Sequence, residues 1–249
     1  MTVLLALDSS TETMALALVS PSGTSVMQAE GGPQASARLV PEALALLARA
    51  GLALADVDAL GFGRGPGAFT GLRTACAVVQ GLAFGAGKPV LSIDSLMLVA
   101  EDARQQAEAT GEPLAGTVWV AMDARMGEIY AGAYRLEQAQ WQTVSEPGLY
   151  RPEALLAHWG EPTAVAGSAL IAFEGQLSLA GRDVRCWPQA VSRAHALAVL
   201  AQQAWSRGEL LDAAQAMPVY VRDKVAQTTQ ERLDARAAVA AAAVAASSS

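Results

Sequence analysis

An order of elements that occurs twice narrows the fold more than any other feature of the chain. Residues 3–8 form a continuous apolar run ending in Asp8-Ser9-Ser10-Thr11, and residues 14–20 and 25–30 follow, separated by the turn Pro21-Ser22-Gly23. Short apolar runs bounded by turn residues predict three strands in a meander. Residues 36–50 are almost all helix formers and stop at Gly51, the residue that most easily closes a helix in the left-handed conformation. A buried strand over 57–62, a helix over 70–86 closed by Lys88-Pro89, a strand over 90–93 and a helix over 95–106 complete the unit. After a polar hinge at 105–113 the order restarts. Strands over 117–123, 128–136 and 141–149, a helix over 152–159, a strand over 163–166 and a helix over 193–207 make a shorter, less regular copy. The chain is α/β, with lobe one at residues 1–106 and lobe two at residues 112–225. Residues 237–249 are mostly alanine followed by serine, with no core-facing stripe, and residues 226–249 are expected to be a disordered tail.

Two βββαβαβα-type lobes facing each other across a cleft, the second shorter, predict the actin-like ATPase (ASKHA, ribonuclease H-like) fold. Composition then limits what such a cleft can do. Seventeen Lys plus Arg against twenty-four Asp plus Glu leave a formal charge of −7, which argues against unaided tight binding of nucleic acid. Cys76 and Cys186 lie far apart in apolar surroundings, so both are expected as reduced, packed thiols of a reducing compartment. The apolar start has no basic n-region and stops at Asp8, and no run of about 18 apolar residues occurs, so a cytoplasmic protein without membrane contact is expected.

Three places could carry chemistry. Asp8, Ser10 and Thr11 sit at a tight strand-to-strand turn, where backbone N–H groups can cradle phosphate and a carboxylate can hold a metal-bound water; the same residues also favour turns for conformational reasons alone. Gly63-Arg64-Gly65-Pro66-Gly67-Ala68-Phe69-Thr70-Gly71 runs into a helix amino terminus, but with neither Walker nor Gly-x-Gly-x-x-Gly spacing. The glycines are better read as allowing a tight strand-to-helix turn, with Thr70 or a neighbour as cap. Asp123-Ala124-Arg125-Met126-Gly127-Glu128 places two acids and an arginine where a nucleotide-binding lobe would offer bare amides, which fits an internal ion pair or a partner contact. His158 and His195 have no second histidine three or four residues away, so neither a metal site nor a His-based triad is expected.

The two helices of lobe one carry more apolar surface than one sheet can cover. Leu39, Ala43, Leu46 and Ala50 form one stripe, and Val40, Leu44 and Leu47 a second about 100° away. On the next helix Leu72, Cys76, Val79 and Ala83 face the sheet, while the rest, including Thr70, Arg73, Thr74, Ala77, Gln80 and Phe84, is small or apolar more than charged. All-round apolarity of this kind predicts burial on a second side, under another element of the same chain or under a partner, and the small residues that allow close helix approach favour the partner. The stripe Leu39, Ala43, Leu46 and Ala50 is taken as the partner-facing one, the choice between the two stripes staying open.

These motifs, with Leu4 to Glu12, Gly81-Leu82-Ala83, Ile129-Tyr130 and Pro218-Val219-Tyr220-Val221-Arg222, resemble the TsaB (YeaZ) family. The resemblance implies an actin-like fold and a role in making threonylcarbamoyladenosine next to the anticodon of tRNAs that read ANN codons. It implies a non-catalytic partner of the related transferase TsaD, with TsaE as the associated ATPase and tRNA met only through the complex. The first two helices would pair with TsaD, or with a second copy when TsaD is absent. ATP and a metal ion would belong to the partners and none to this chain, because Ser95 and Val99 stand where TsaD has a metal-binding His-x-x-x-His pair. Asp8, Ser10, Thr11, Asp123, Arg125 and Glu128 are then candidates for facing TsaE, nucleotide or tRNA. The competing readings are a small-molecule kinase or a metallopeptidase-like enzyme of the same fold. One departure is Ala35-Ser36, where family members often carry His-Ser or His-Thr.

Overall fold

The computed structural model describes residues 2–222, apart from 178, 180, 182 and 190–192. The predicted tail at 226–249 and the last three residues assigned to lobe two lie outside the described residues. Strands β1 (Leu4–Asp8), β2 (Thr13–Ser20), β3 (Gly23–Glu30), β4 (Ala59–Gly65) and β5 (Val90–Asp94) form one sheet in the order β3-β2-β1-β4-β5. The meander pairs are antiparallel, and β1-β4 and β4-β5 are parallel. A second sheet contains β6 (Thr117–Asp123), β7 (Ile129–Glu137), β8 (Gln140–Tyr150), β9 (Ala164–Ala166) and β10 (Arg185–Trp187), in the order β10-β9-β6-β7-β8. Each lobe thus places its own third, second, first, fourth and fifth strands side by side. The duplication read from the sequence is a duplication of topology.

Burial on both faces explains the continuous apolar strands. In β1, Leu5 and Leu7 point to a core shared with α1 (Ala35–Arg49) and α2 (Phe69–Ala86), while Leu4 and Ala6 point to the opposite core between the lobes. That inner core is filled by α3 (Ser95–Ala109) and α6 (Ala194–Ser206). The two helices cross over: α6, late in the sequence, packs on β1, β2 and β5, whereas α3 packs on β6 and β7. Glu101 of α3 is fully buried, compensated by two bonds from Arg104 (2.8 and 2.7 Å), one from Gln105 (2.8 Å) and one from the Trp141 indole of β8 (2.8 Å). A third core, with Leu155, Trp159, Ala169 and Phe173, lies between sheet two and the helices α4 (Pro152–Trp159) and α5 (Ala169–Ala172).

Several sequence expectations are corrected here. The strand expected at 57–62 runs instead to Gly65, so the first three residues of the glycine-rich stretch are strand. The hinge begins later than expected because α3, rich in Ala, Glu and Gln, continues to Ala109. Strand β10 and helix α5 were not foreseen, being too short for a periodicity to show. Cys76 is buried but Cys186 is exposed, so only one of the two thiols is packed as expected. Among the described residues no helix is long and apolar enough to cross a membrane.

Candidate functional site

The carboxyl end of β1 and the amino end of α2 meet the carboxyl end of β6 at a cleft between the lobes. It encloses about 680 Å³ and is lined by residues 10–13, 66–70 and 122–125, with Leu96, Tyr130, Ser168, Ile171, Ala172, Arg193 and Arg222. Asp8 lies at its inner end, fully buried. Its Oδ1 accepts from the Ser10 N–H (3.2 Å), the Ser10 hydroxyl (2.9 Å) and Arg193 Nη1 (3.4 Å), and its Oδ2 accepts from the Ser95 hydroxyl (3.1 Å). Arg193 Nη1 also donates to Ser10 Oγ (2.7 Å) and to the Ser95 carbonyl (3.4 Å). The Arg193 side chain is 2% exposed. A buried carboxylate is tolerable only when paired and hydrogen-bonded, and this one is both.

The glycine-rich stretch exists so that the chain can approach itself. A Cβ on Gly63 would lie 1.7 Å from Asp8 Oδ2, and one on Gly71 would lie 1.7 Å from the Ser9 carbonyl oxygen. Ser9 Oγ donates to the Gly71 carbonyl (2.8 Å) and the Ala68 N–H to the Ser10 carbonyl (2.7 Å). The turn after β1 therefore fills the space along the glycines, in line with their conformational reading. Thr70 does not cap α2 as expected: the residue preceding the helix is Ala68, which offers no side-chain acceptor to the first-turn N–H groups.

On the lobe-two side Arg125, Met126 and Gly127 all adopt left-handed backbone (φ 64°, 59° and 72°). Asp123 holds this turn, accepting from the Arg125 N–H (2.8 Å) and from Arg125 Nη1 (3.2 Å). Arg125, 68% exposed, also pairs with Glu12 across the mouth of the cleft. Arg222 Nη2 donates to Glu128 (2.7 Å) and to the carbonyls of Ala124 (3.1 Å) and Arg125 (3.3 Å). The ion-pair reading of this motif thus fits. Of the six residues proposed to face TsaE, nucleotide or tRNA, Asp8 and Ser10 are corrected to buried structural positions. Thr11, Asp123, Arg125 and Glu128 retain some exposure. Burial pushes the Asp94 carboxyl up, at the start of α3, and the buried Tyr134 phenol that bonds to it is raised well above its ordinary value by burial and that carboxylate.

The surface of α1 and α2 departs more sharply from expectation. Leu39, Ala43 and Leu46 are buried against sheet one, and Ala50 is half-buried beside the same core. That stripe is the sheet-facing one, because β1, β2 and β4 present Leu5, Leu7, Leu16 and Leu60 to it. The exposed side of α1 carries Ala37, Pro41, Leu44 and Ala48, with Leu44 44% exposed. On α2, Thr70, Arg73, Ala77, Gly81, Phe84 and Gly85 are exposed, Thr74 is half-buried, and Phe84 reaches 83%.

The chain's own segment after α6 covers the other flank of α2, so cover by the same chain, the other alternative of the sequence reading, holds on that flank, though the segment itself was not foreseen. Leu211 bridges Val90, and the Val219 N–H donates to the Arg64 carbonyl (2.7 Å). Gln80 Nε2 donates to the carbonyls of Ala213 (3.2 Å) and Ala216 (2.9 Å), and Cys76 Sγ to that of Ala216 (3.3 Å). Tyr220 stacks on Phe69 (4.8 Å between centroids), and its hydroxyl accepts from Arg73 Nε (3.1 Å). Gln80 and Arg73, both expected to face a partner, are thus engaged within the chain. Residues about 120 to 155 positions apart in sequence meet here, and no local pattern announces that.

Residues 22–248 match a family model described as TsaD: tRNA N6-adenosine threonylcarbamoyltransferase. Two relatives are described as tRNA threonylcarbamoyladenosine biosynthesis protein TsaB. The one from Haemophilus influenzae is 32% identical over 89% of this chain and 94% of its own. The one from Escherichia coli is 31% identical over 90% and 96%. This chain belongs to the TsaB (YeaZ) family. A solved structure described as YeaZ from Pseudomonas aeruginosa has a TM-score of 0.76 and 38% identity, covering 88% of this chain and all (100%) of that one. Another from the same organism, described as similar to peptidase YEAZ, has a TM-score of 0.78 and 37% identity, over 89% and 100%. The two matching five-stranded sheets are accordingly those of the actin-like, ribonuclease H-like fold that the TsaB family shares.

Proposed function

We propose that this chain is a non-catalytic partner of the TsaD transferase in tRNA threonylcarbamoyladenosine synthesis, pairing with it through the exposed face of α1 and α2. The observation that carries this reading is that face. Gly81 and Gly85 each cost a helix about 1 kcal/mol relative to alanine, yet a Cβ at either would meet nothing within 4 Å. Nothing among the described residues accounts for them. Beside them Phe84 and Leu44 are apolar and exposed, and small residues between such anchors let the backbone of a facing helix come close. The pairing partner is a second copy when TsaD is absent, and TsaE joins the assembly as its ATPase, so that ATP and metal chemistry belong to the partners.

A non-catalytic role is supported by the residues at the positions that correspond to the metal-binding pair of TsaD. The Ser95 hydroxyl donates to Asp8 and accepts the Gly65 N–H (3.0 Å), and Val99 is fully buried. Neither offers imidazole, and among the described residues no three His, Cys, Asp or Glu side chains are grouped to hold a metal. The test is Ala77→Arg, which places a long cation in the middle of the exposed face without touching the core. Light scattering of the variant with TsaD is expected to show no heterodimer while its circular dichroism is unchanged. Complex formation at native affinity would show that the pairing surface lies elsewhere.

A further inference from the structure

We propose that Arg73 selects the partner at the pairing face, by receiving an aspartate or glutamate carboxylate of TsaD that the same face of a second copy lacks; this rests on the pairing proposed above. Arg73 lies on the exposed side of α2 and is engaged within the chain through one nitrogen, its Nε, which donates to the Tyr220 hydroxyl (3.1 Å). Its guanidinium carbon lies 5.7 Å from the centre of the Phe69 ring and 5.6 Å from that of Tyr220, and the two rings stack on each other. Among the described residues neither Nη1 nor Nη2 of Arg73 meets an acceptor. Other exposed arginines are spent within the chain: Arg135 and Arg207 each pair with a glutamate two residues on, and Arg38 pairs with Glu42. A guanidinium already fixed through Nε, with both outer nitrogens free, loses little freedom when it takes a carboxylate in its fork.

Charge on the two helices separates TsaD from a second copy. Helices α1 and α2 hold three arginines, Arg38, Arg49 and Arg73, against one acid, Glu42, a net of +2 in a chain whose total is −7. Glu42 is taken by Arg38 (3.2 Å), and no acid stands three or four residues from Arg73 on either side. At the far end of α2, Asp212 and Lys88 line one hollow beside Phe84, with one charge of each sign. Two copies paired through these helices would set +2 against +2 and leave each Arg73 without a free carboxylate on the facing helices. A phosphate of tRNA would also suit a guanidinium, but nucleic acid is held by several cations together. Arg73 instead shares its helix face with Ala77, Gly81 and Phe84, a small and apolar surface on which a single desolvated charge pair confers specificity.

The experiment measures pairing of the full chain with TsaD and with itself, by analytical ultracentrifugation at about 50 and about 500 mM salt. The native heterodimer is expected to weaken roughly ten-fold over that range, while the homodimer does not weaken, because salt screens attraction in the first and repulsion in the second. Arg73→Gln is expected to bind TsaD roughly ten-fold less tightly at low salt, with most of the salt dependence gone, and Arg73→Glu roughly a hundred-fold less tightly. Arg73→Gln is also expected to pair with its own copy at least as tightly as the native chain does, with unchanged circular dichroism. Loss of homodimer and heterodimer together would make Arg73 a support of α2 alone and overturn the proposal. Native affinity for TsaD in Arg73→Gln would overturn it too, as would a complex that forms normally with that variant but no longer retains tRNA. Should the variants not fold, the opposite salt responses of the two native dimers decide, and equal responses overturn the proposal. Ala77→Arg separates the two readings. If it abolishes the heterodimer while Arg73→Gln leaves it at native affinity, selection by Arg73 fails and the pairing face stands; if Ala77→Arg pairs normally, the face itself is wrong.

Discussion

The pair of Arg193 and Asp8 joins the start of α6 to the end of β1 across 185 positions of sequence, and its removal gives the sharpest test of how α6 is held on sheet one. Arg193→Met keeps the apolar stem and deletes the cation. Breaking a buried pair by removing one partner costs about 3–5 kcal/mol, because the remaining charge is left uncompensated. Asp8 keeps three other donors, from the Ser10 N–H, the Ser10 hydroxyl and the Ser95 hydroxyl, which places the loss near the lower end, about 3 kcal/mol. For a chain of this size that is a fall in melting temperature of roughly 6–12 °C. Asp8→Asn leaves the opposite charge buried, and a similar loss of about 3 kcal/mol is expected. The double variant removes both charges and is expected to lose at least about 2 kcal/mol less than the sum of the single losses. Urea denaturation followed by the fluorescence of the five tryptophans measures all three, at one fixed protein concentration because self-association shifts apparent stability. Strictly additive losses, or single losses below about 1 kcal/mol, would refute the reasoning that this pair ties α6 to sheet one.

Two further predictions concern other parts of the molecule. Tyr220→Ala removes the stack on Phe69 and the bond from Arg73, and a loss of about 2 kcal/mol in thermal denaturation is expected, against under about 1 kcal/mol for Tyr220→Phe; equal losses would mean that the stack contributes nothing. Burial raises the Asp94 carboxyl, so the native state holds that proton more tightly than the unfolded chain; this contribution to stability is complete below about pH 4 and is lost as pH rises through the raised native value. Asp94→Asn keeps an acceptor for the Leu96 and Met97 N–H groups and is expected to gain on the native chain as pH rises from about 4 toward 7, whereas a difference that does not change with pH would exclude a raised carboxyl.

Strand order and helix positions were legible because they depend on local periodicity and on turn residues. The apolar run of β1, the turn at Pro21 to Gly23 and the stop of α1 before Gly51 are each set within a few residues, and the doubled order left one fold class. The close approach permitted by Gly63 and Gly71 was legible in kind, since glycine runs mark tight passages. Which side of α1 faces outward was not. Leu39 and Leu44 are chemically alike, and only the position of sheet one makes the first fully buried and the second 44% exposed.

The residues alone determined that the order of elements is doubled and that α1 and α2 carry more apolar surface than one sheet can use. Tertiary structure decided the rest: that α3 and α6 exchange lobes, that the segment at 211–222 covers one flank of α2, and that Arg193 and Ser10 meet at Asp8. The physical reason is range. Propensity and periodicity act over one or two turns of chain, whereas charge pairing and steric fit act through space and leave no spacing in the sequence to read.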